Sequence, residues 1–245
     1  VYYYDTIQSL SQDQRFPNLN TEQRAREIMR IHGLDSSLFL SPGQIREQID
    51  LSGEKNMFVR LLERENGEKT FLRVFDDMQH HPGESEITAA FKRIAMELPT
   101  VGFLVGHGER DIHRTGDREY SGFALEKRFR YALINQGFDI LNVRLTDEVP
   151  DNIKILVIAE MKEPLTETEE INLERYIARG GNLFITCEPK RSEIMNVLLE
   201  KFGVRLVTGT LVQLSENFSP DLIVAQPSQE AAKLNYCLLY TSDAA

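Results

Sequence analysis

The chain has 245 residues, 41% hydrophobic and 27% charged, and this composition is typical of a globular protein rather than a disordered one. Its formal charge of −10 argues against a nucleic-acid partner, because phosphate backbones require a basic surface, and against adsorption to anionic lipid head groups. No stretch approaches the roughly 18 consecutive apolar residues of a membrane span. Because the sequence begins without Met, inside the strand-like run Val1–Tyr4, we expect upstream sequence in the natural protein, which can include a membrane anchor.

The first part of the chain predicts a small α+β domain over residues 1–97. Helices are predicted over 21–32, 42–49 and 84–98, from N-caps, helical spacing of apolar residues and the terminating Pro99. Asn66-Gly67 separates two β-rich runs, so residues 57–75 predict a hairpin.

Residues 98–236 alternate between strand and helix patterns, which predicts an α/β domain with an open parallel sheet flanked by helices. The predicted strands are 101–105, 140–143, 153–158, 182–186 and the mostly extended 204–212, and the predicted helices are 123–136, 166–177 and 193–202. Cations within 127–130 predict a solvated face of the first of these helices. The last residues, 237–245, resemble a translated sequencing-adapter tail, and we interpret them as non-native.

The turn Gly106-His107-Gly108-Glu109 is the strongest candidate for a functional edge. It directly follows an apolar strand, and ligands of open parallel sheets usually bind at the carboxyl ends of the strands. The two glycines indicate a tight backbone, and the favoured interpretation is a polar turn held by hydrogen bonds of His107 and Glu109. Glu160, Cys187 and Glu188 follow neighbouring predicted strands, so we expect them at the same edge.

Two other interpretations of this turn are less favoured. His107, Glu109, Asp111 and His113 are residue types that bind metals, although their spacing matches no helical ligand pattern. A phosphate-binding loop would need a third glycine and a helix immediately after the turn, and the sequence provides neither.

A nucleophilic enzyme is the main alternative to a binding domain. Glu160 and Met161 stand where a nucleophile elbow would place Ser or Cys, and no Gly-x-Ser-x-Gly or Gly-x-Cys-x-Gly motif occurs. Cys187 could act with His107 only if the fold brought two strand ends together. The simpler interpretation of Cys187, and of Cys237, is a small buried hydrophobic residue.

The order of several segments resembles that of a known family. These segments are the strand 101–109 with its Gly-His-Gly-Glu turn, the run 137–143, the strand 149–158, and the segments 165–169 and 176–183. The chain is similar to the gliding-motility-type (GldG-like) auxiliary component of ABC transporters, and the resemblance covers about 90% of it.

The resemblance implies a second half like class I glutamine amidotransferases without their cysteine nucleophile, and a first half that is partly thioredoxin-like without redox cysteines. It also implies a non-catalytic, extracytoplasmic (periplasmic) domain at the cell membrane. Separately from the resemblance, we expect no cofactor and no metal. The implied partners are an ABC-2 type permease and its ATPase, with membrane attachment through flanking helices. Because the family has no agreed catalytic residues, none are transferred to this chain.

The candidate ligand- or partner-binding residues are Gly106, His107, Gly108, Glu109, Glu160, Cys187 and Glu188. A scaffold that binds only other proteins is the remaining alternative, and an exposed apolar patch would favour it.

Overall fold

The computed structural model describes residues 16–55, 59–75, 77, 81–116 and 118–209, together with 212–214, 216, 219 and 222. The helices are α1 Thr21–Ile31, α2 Pro42–Gln48, α3 Glu84–Ala95, α4 Ser121–Ala124, α5 Glu167–Ala178 and α6 Ser192–Leu199. The strands are β1 Val59–Glu63, β2 Lys69–Arg73, β3 Thr100–Leu104, β4 Asp139–Val143, β5 Ile153–Ala159 and β6 Asn182–Thr186. The predicted strand at Val1–Tyr4 and the tail 237–245 lie outside the described residues. In the described part of the chain, no helix is both long and apolar enough to cross a membrane.

The first half contains the predicted helices and hairpin. Strands β1 and β2 pair antiparallel around the Asn66-Gly67 turn, with Val59 opposite Arg73. Helix α1 begins at a capping box in which Asn20 and Gln23 each accept a hydrogen bond from the other's backbone N–H. Helix α3 packs against β2. These predictions are confirmed where the residues are described.

The second half is built on a four-stranded parallel sheet with the order β4-β3-β5-β6. The chain passes from β3 to one neighbour, β4, and then returns to the other side of β3 to form β5. The strand order therefore reverses between β3 and β5, and a crevice outside the carboxyl ends of two such strands is the usual ligand site of open α/β sheets.

Both faces of this sheet are covered, because alternate residues of β3 and β5 enter different apolar clusters. Leu104 and Leu156 pack with α5 and α6 on one face. Phe103 and Val157 pack with α4 and the loops around it on the other. Gly102 is required between strands: a Cβ there would lie 2.6 Å from Cγ2 of Val143.

The predicted helix over 123–136 is wrong. Helix α4 ends at Ala124, tight turns follow, and a 3₁₀ helix occupies Leu133–Asn135. The side-chain amide of Asn135 donates to the carbonyl oxygens of Glu126, Lys127 and Phe129, at 3.2, 3.3 and 2.7 Å. The carbonyls of Glu126 and Phe129 also accept from the backbone N–H groups of Phe129 and Ala132, three residues further on, which is the pattern of tight turns rather than of an α-helix.

The cations of this segment do not form a solvated helix face either. Arg130 is buried, and its guanidinium lies 2.7 Å from Asp77 and 2.9 Å from Glu86. Lys127 lies 2.8 Å from the buried carboxylate of Glu54. Arg130 and Lys127 thus form ion pairs with the first half instead of a solvated helix face.

The predicted extended segment over 204–212 adds no strand to the sheet in the described residues. The amide of Leu206 donates to Oδ1 of Asn196 at 2.7 Å, and its carbonyl accepts from Nδ2 of the same side chain at 3.1 Å. The backbone hydrogen bonds of Leu206 are thus made with a side chain of helix α6 rather than with a neighbouring strand.

Candidate binding site at the carboxyl ends of the strands

The turn after β3 is tightly folded and polar. Gly106 and Gly108 have φ angles of 133° and 73°, which side-chain-bearing residues rarely adopt. The backbone N–H of His107 donates to Oε2 of Glu109 at 2.8 Å, and the His107 ring nitrogen Nδ1 lies 3.1 Å from Oε1. The predicted hydrogen-bonded polar turn is confirmed.

His107 also connects this turn to β5 and α5. Its carbonyl oxygen accepts from the backbone N–H of Lys162 at 2.7 Å, and its Nε2 lies 3.1 Å from Oε2 of Glu169. Both ring nitrogens thus face carboxylates. The ring thereby ties the turn after β3 to the first turn of α5.

Glu169 has two roles at the start of α5. It completes a capping box with Thr166, and it contacts the ring of the buried His107. Burial of Glu169 acts to raise its pKa, but the hydrogen bonds from Thr166 and His107 outweigh that effect and lower the pKa below its usual value. The contact therefore favours the ionised form of Glu169.

Glu160 follows β5 directly and combines burial with an unusual backbone. Its φ is 38°, one of two positive values among the described non-glycine residues, and only 7% of the residue is exposed. Its backbone N–H donates to the carbonyl of Thr186 at 2.8 Å, which holds it against the end of β6. Strain and burial of this kind are concentrated at functional sites.

Opposite charges from the three loops meet beside Glu160. Arg110, from the loop after β3, lies 2.8 Å from Glu188 and 3.7 Å from Oε2 of Glu160. Lys190, from the segment after β6, lies 2.5 Å from Glu188 and 3.6 Å from Oε1 of Glu160. The guanidinium of Arg110 lies over the ring of Tyr120, 5.8 Å from the ring centroid, which is a cation–π contact. These contacts join the carboxyl ends of β3, β5 and β6 into one polar edge.

Cys187 lies at the end of β6 and packs against the apolar cluster that α5 and α6 cover. Burial and the nearby charge of Glu160 raise the pKa of its thiol, which is the opposite of what an activated nucleophile requires. Both ring nitrogens of His107 face Glu109 and Glu169 rather than this thiol.

The predicted site residues thus divide into two groups at one edge. The first is the turn Gly106–Glu109, which Glu169 contacts, and the second is Glu160 with Glu188, while Cys187 is partly buried and packs against the core. Sequence reasoning did not identify Arg110, Tyr120, Lys190 or the contact of Glu169 with His107, because these pairings join positions far apart in the chain. Among the described residues, no group of three His, Cys, Asp or Glu side chains could hold a metal ion.

Comparison with known proteins gives one match. The model of a protein family described as an ABC-type uncharacterized transport system matches residues 98–243, more than half of the chain. No curated protein and no solved structure matches. The matched region contains the whole parallel sheet and every residue of the polar edge described above. The chain therefore belongs to this ABC transport family, as an auxiliary component with a transport-associated role.

Proposed function

We propose that this chain is a non-catalytic auxiliary domain of an ABC transport system that binds a ligand or protein partner at the carboxyl ends of β3, β5 and β6. The observation that carries the proposal is the polar edge itself. Three separate loops place a strained, buried carboxylate and paired charges at the point where the strand order reverses. The residues of this edge are those of the turn Gly106–Glu109, with Arg110, Glu160, Glu188 and Lys190.

The absence of catalysis is supported by the groups at the positions where an enzyme would carry its nucleophile. Glu160 occupies the sharp turn after β5, and its φ of 38° resembles the strained turn of a nucleophile elbow. The nearby thiol of Cys187 has a raised pKa. His107 is engaged by two carboxylates, so neither ring nitrogen is directed at a nucleophile.

The cellular setting of the proposal comes from the resemblance to gliding-motility-type auxiliary components. In this proposed setting, the domain lies on the extracytoplasmic side of the cell membrane and is anchored by flanking helices. It binds an ABC-2 type permease and its ATPase. Its second half belongs with class I glutamine-amidotransferase-like folds, and its first half is partly thioredoxin-like. The domain boundary near residue 97 is supported by the start of the family match at residue 98.

Co-purification with the permease and ATPase of the same transport system tests the proposal. Lys162 and Lys190 are exposed at the edge, so replacing both with Glu reverses its surface charge and breaks the ion pair of Lys190 with Glu188. We expect most of the co-purified permease to be lost. Lys154→Glu, at the opposite end of β5, is the matched control and should retain it.

A different pattern would identify the scaffold alternative. Helices α5 and α6 border an apolar groove of ≈ 510 Å³ that is lined in part by Ile177 and Phe202. If Phe202→Ser abolishes co-purification while the Lys162 and Lys190 replacements have no effect, the partner binds this helical face and the proposed edge is wrong.

A further inference from the structure

A groove between α5 and α6 lies away from the polar edge. Each helix follows a strand whose carboxyl end belongs to that edge, so each begins there and runs towards the opposite end of the sheet. The groove has a volume of ≈ 510 Å³ and follows the second half of α5 and the end of α6. Its lining, among the described residues, is Leu173, Glu174, Ile177, Ala178, Leu198, Lys201 and Phe202. It is therefore a second surface, separate from the proposed edge.

The groove is apolar and open to solvent along one side. Leu173 and Leu198 are buried, whereas Ala178 is exposed and Phe202 is 41% exposed. A small-molecule pocket encloses most of the surface of its ligand, and a groove with exposed apolar walls does not. Exposed apolar surface of this kind is typical of a site that binds another protein.

The charge beside the groove is negative on balance. Helix α5 contains four glutamates and one arginine, and α6 contains one glutamate and no basic residue. Nζ of Lys201 lies 3.0 Å from Glu170 and 3.0 Å from Glu174, so two carboxylates share one ammonium group. The adjacent pair of Glu200 and Arg205, 3.8 Å apart, is balanced. One negative charge is therefore left beside the apolar strip.

This charge argues against several occupants. In a two-fold dimer the same surface meets itself, so a second copy would bring Glu170 and Glu174 towards their own counterparts. Anionic lipid head groups and nucleic acid would be repelled for the same reason. A protein segment that combines apolar side chains with positive charge complements both properties of the groove.

The walls of the groove favour a helix over a strand as the bound segment. Helices α5 and α6 use their backbone groups internally, so they offer side chains rather than a row of free N–H and C=O groups. An added strand would leave its own backbone groups without partners here. A helix satisfies its backbone itself and binds such grooves through apolar side chains at positions i, i+3 or i+4, and i+7.

We propose that the groove between α5 and α6 binds a basic amphipathic helix of another protein. The apolar stripe of that helix packs beside Phe202, Ile177 and Ala178, and its Lys or Arg side chains face Glu170 and Glu174. The interaction goes beyond the proposed function, because it gives the chain a second contact surface at the other end of the sheet and does not depend on what the polar edge binds.

Titration of the intact chain with a capped, fluorescently labelled peptide tests this surface, with anisotropy as the readout. The peptide contains only Leu, Ala and Lys, and its leucines are spaced three and four residues apart so that they share one helical face. We expect saturable binding with a Kd on the order of 10–100 μM. Binding should weaken at least about threefold between 50 and 300 mM salt, because charge contributes to it.

Two pairs of variants separate the apolar and the charged contributions. Phe202→Ser should weaken binding at least about tenfold, and Phe184→Ser, on the exposed side of β6, is its matched control and should have no effect. Glu174→Gln should weaken binding about threefold, and Glu65→Gln, at the exposed hairpin turn, should not. If Phe202→Ser folds poorly, Ala178→Gln fills the groove without changing the charge and should weaken binding instead.

Four results would overturn the inference. Equal binding of a peptide with the same composition but with its leucines scattered around the helix would mean that charge alone is recognised. Equal binding of the peptide with Glu in place of Lys would reject a basic partner. Absence of saturable binding up to about 1 mM would reject the surface altogether. Dimerisation of the chain that Phe202→Ser abolishes would mean that a second copy occupies the groove.

The charge reversal of Lys162 and Lys190 distinguishes this groove from the polar edge. Both replacements lie at the other end of the sheet, beyond the range of unscreened charge at 150 mM salt, so the affinity for the peptide should stay within about threefold of wild type. Loss of peptide binding in that double variant, with Phe202→Ser unaffected, would place the peptide at the polar edge and reject the groove.

Discussion

Nε2 of His107 lies 3.1 Å from Oε2 of Glu169, and this contact joins the turn after β3 to the first turn of α5. Glu169→Gln tests it selectively, because Gln can still complete the capping box with Thr166 but loses the charge that faces the imidazole. We expect a loss of about 1–3 kcal/mol in the free energy of unfolding at neutral pH, measured by urea denaturation.

The pH dependence of this loss follows from the lowered pKa of Glu169. A carboxylate with a depressed folded-state pKa stabilises the protein above its unfolded pKa, and that stabilisation is lost as the pH falls through the folded value. The difference between wild type and Glu169→Gln should therefore shrink below about pH 4. Glu167→Gln, on an exposed residue of the same helical turn, should change little. An identical difference at pH 7 and pH 3.5 would contradict a stabilising contribution from the ionised carboxylate of Glu169.

Cys187 should react slowly with thiol reagents in the folded protein. Burial and Glu160 raise its pKa and reduce the thiolate fraction, and the thiolate is the reactive form. In a Cys237→Ser background, labelling at pH 7 should be at least about tenfold slower than in urea, where the thiol has its ordinary pKa. Glu160→Gln should accelerate labelling. Reaction faster than that of an unfolded peptide thiol would revive the nucleophile hypothesis.

The positive φ of Glu160 should reverse the usual order of stability, in which an Ala replacement is more stable than a Gly replacement. Glu160→Gly should be more stable than Glu160→Ala by about 1 kcal/mol, because glycine adopts a φ of 38° without strain. At the exposed Asn142 of β4, Ala should instead be the more stable of the two replacements. Thermal or urea unfolding of the four variants measures both differences. Equal stability of the two Glu160 variants would mean that the backbone there is not strained.

Gly102 should not tolerate a methyl group. An Ala side chain would lie 2.6 Å from Cγ2 of Val143 and 3.1 Å from Cγ2 of Ile153, so the sheet or its covering layer must shift. We expect Gly102→Ala to cost about 1–3 kcal/mol in unfolding free energy. Gly122→Ala is the control, because no atom lies within 4 Å of the position of its Cβ. If Gly102→Ala leaves the free energy of unfolding unchanged, β3 and β4 pack less closely than the structure indicates.

Much of the fold could be predicted from local pattern alone. The apolar run of residues 153–158 predicts strand β5, and the capping pair Thr166 and Glu169 predicts the start of helix α5. The structure contains both elements at the predicted places. The segment 123–136 was mispredicted for a physical reason. Its helical periodicity is genuine, but Asn135 and Arg130 form buried contacts that a continuous helix does not contain.

The candidate site was predictable as an edge but not as a set of contacts. Turns after apolar strands identify the carboxyl ends, which is why Glu160 and Glu188 were expected together. The pairing of His107 with Glu169 spans 62 positions, and that of Arg110 with Glu188 spans 78. Such pairs depend on the strand order, which periodicity does not specify.

Hydrogen exchange of the chain, measured by mass spectrometry with and without the permease and ATPase of its transport system, tests the central claim most directly. The claim is that the carboxyl ends of β3, β5 and β6 are the binding edge. The account predicts that slowed exchange on complex formation is concentrated in residues 105–114, 160–164 and 186–191. Slowed exchange confined to the surface of α1 and α2, or to α5 and α6, with these three loops unchanged, would contradict it.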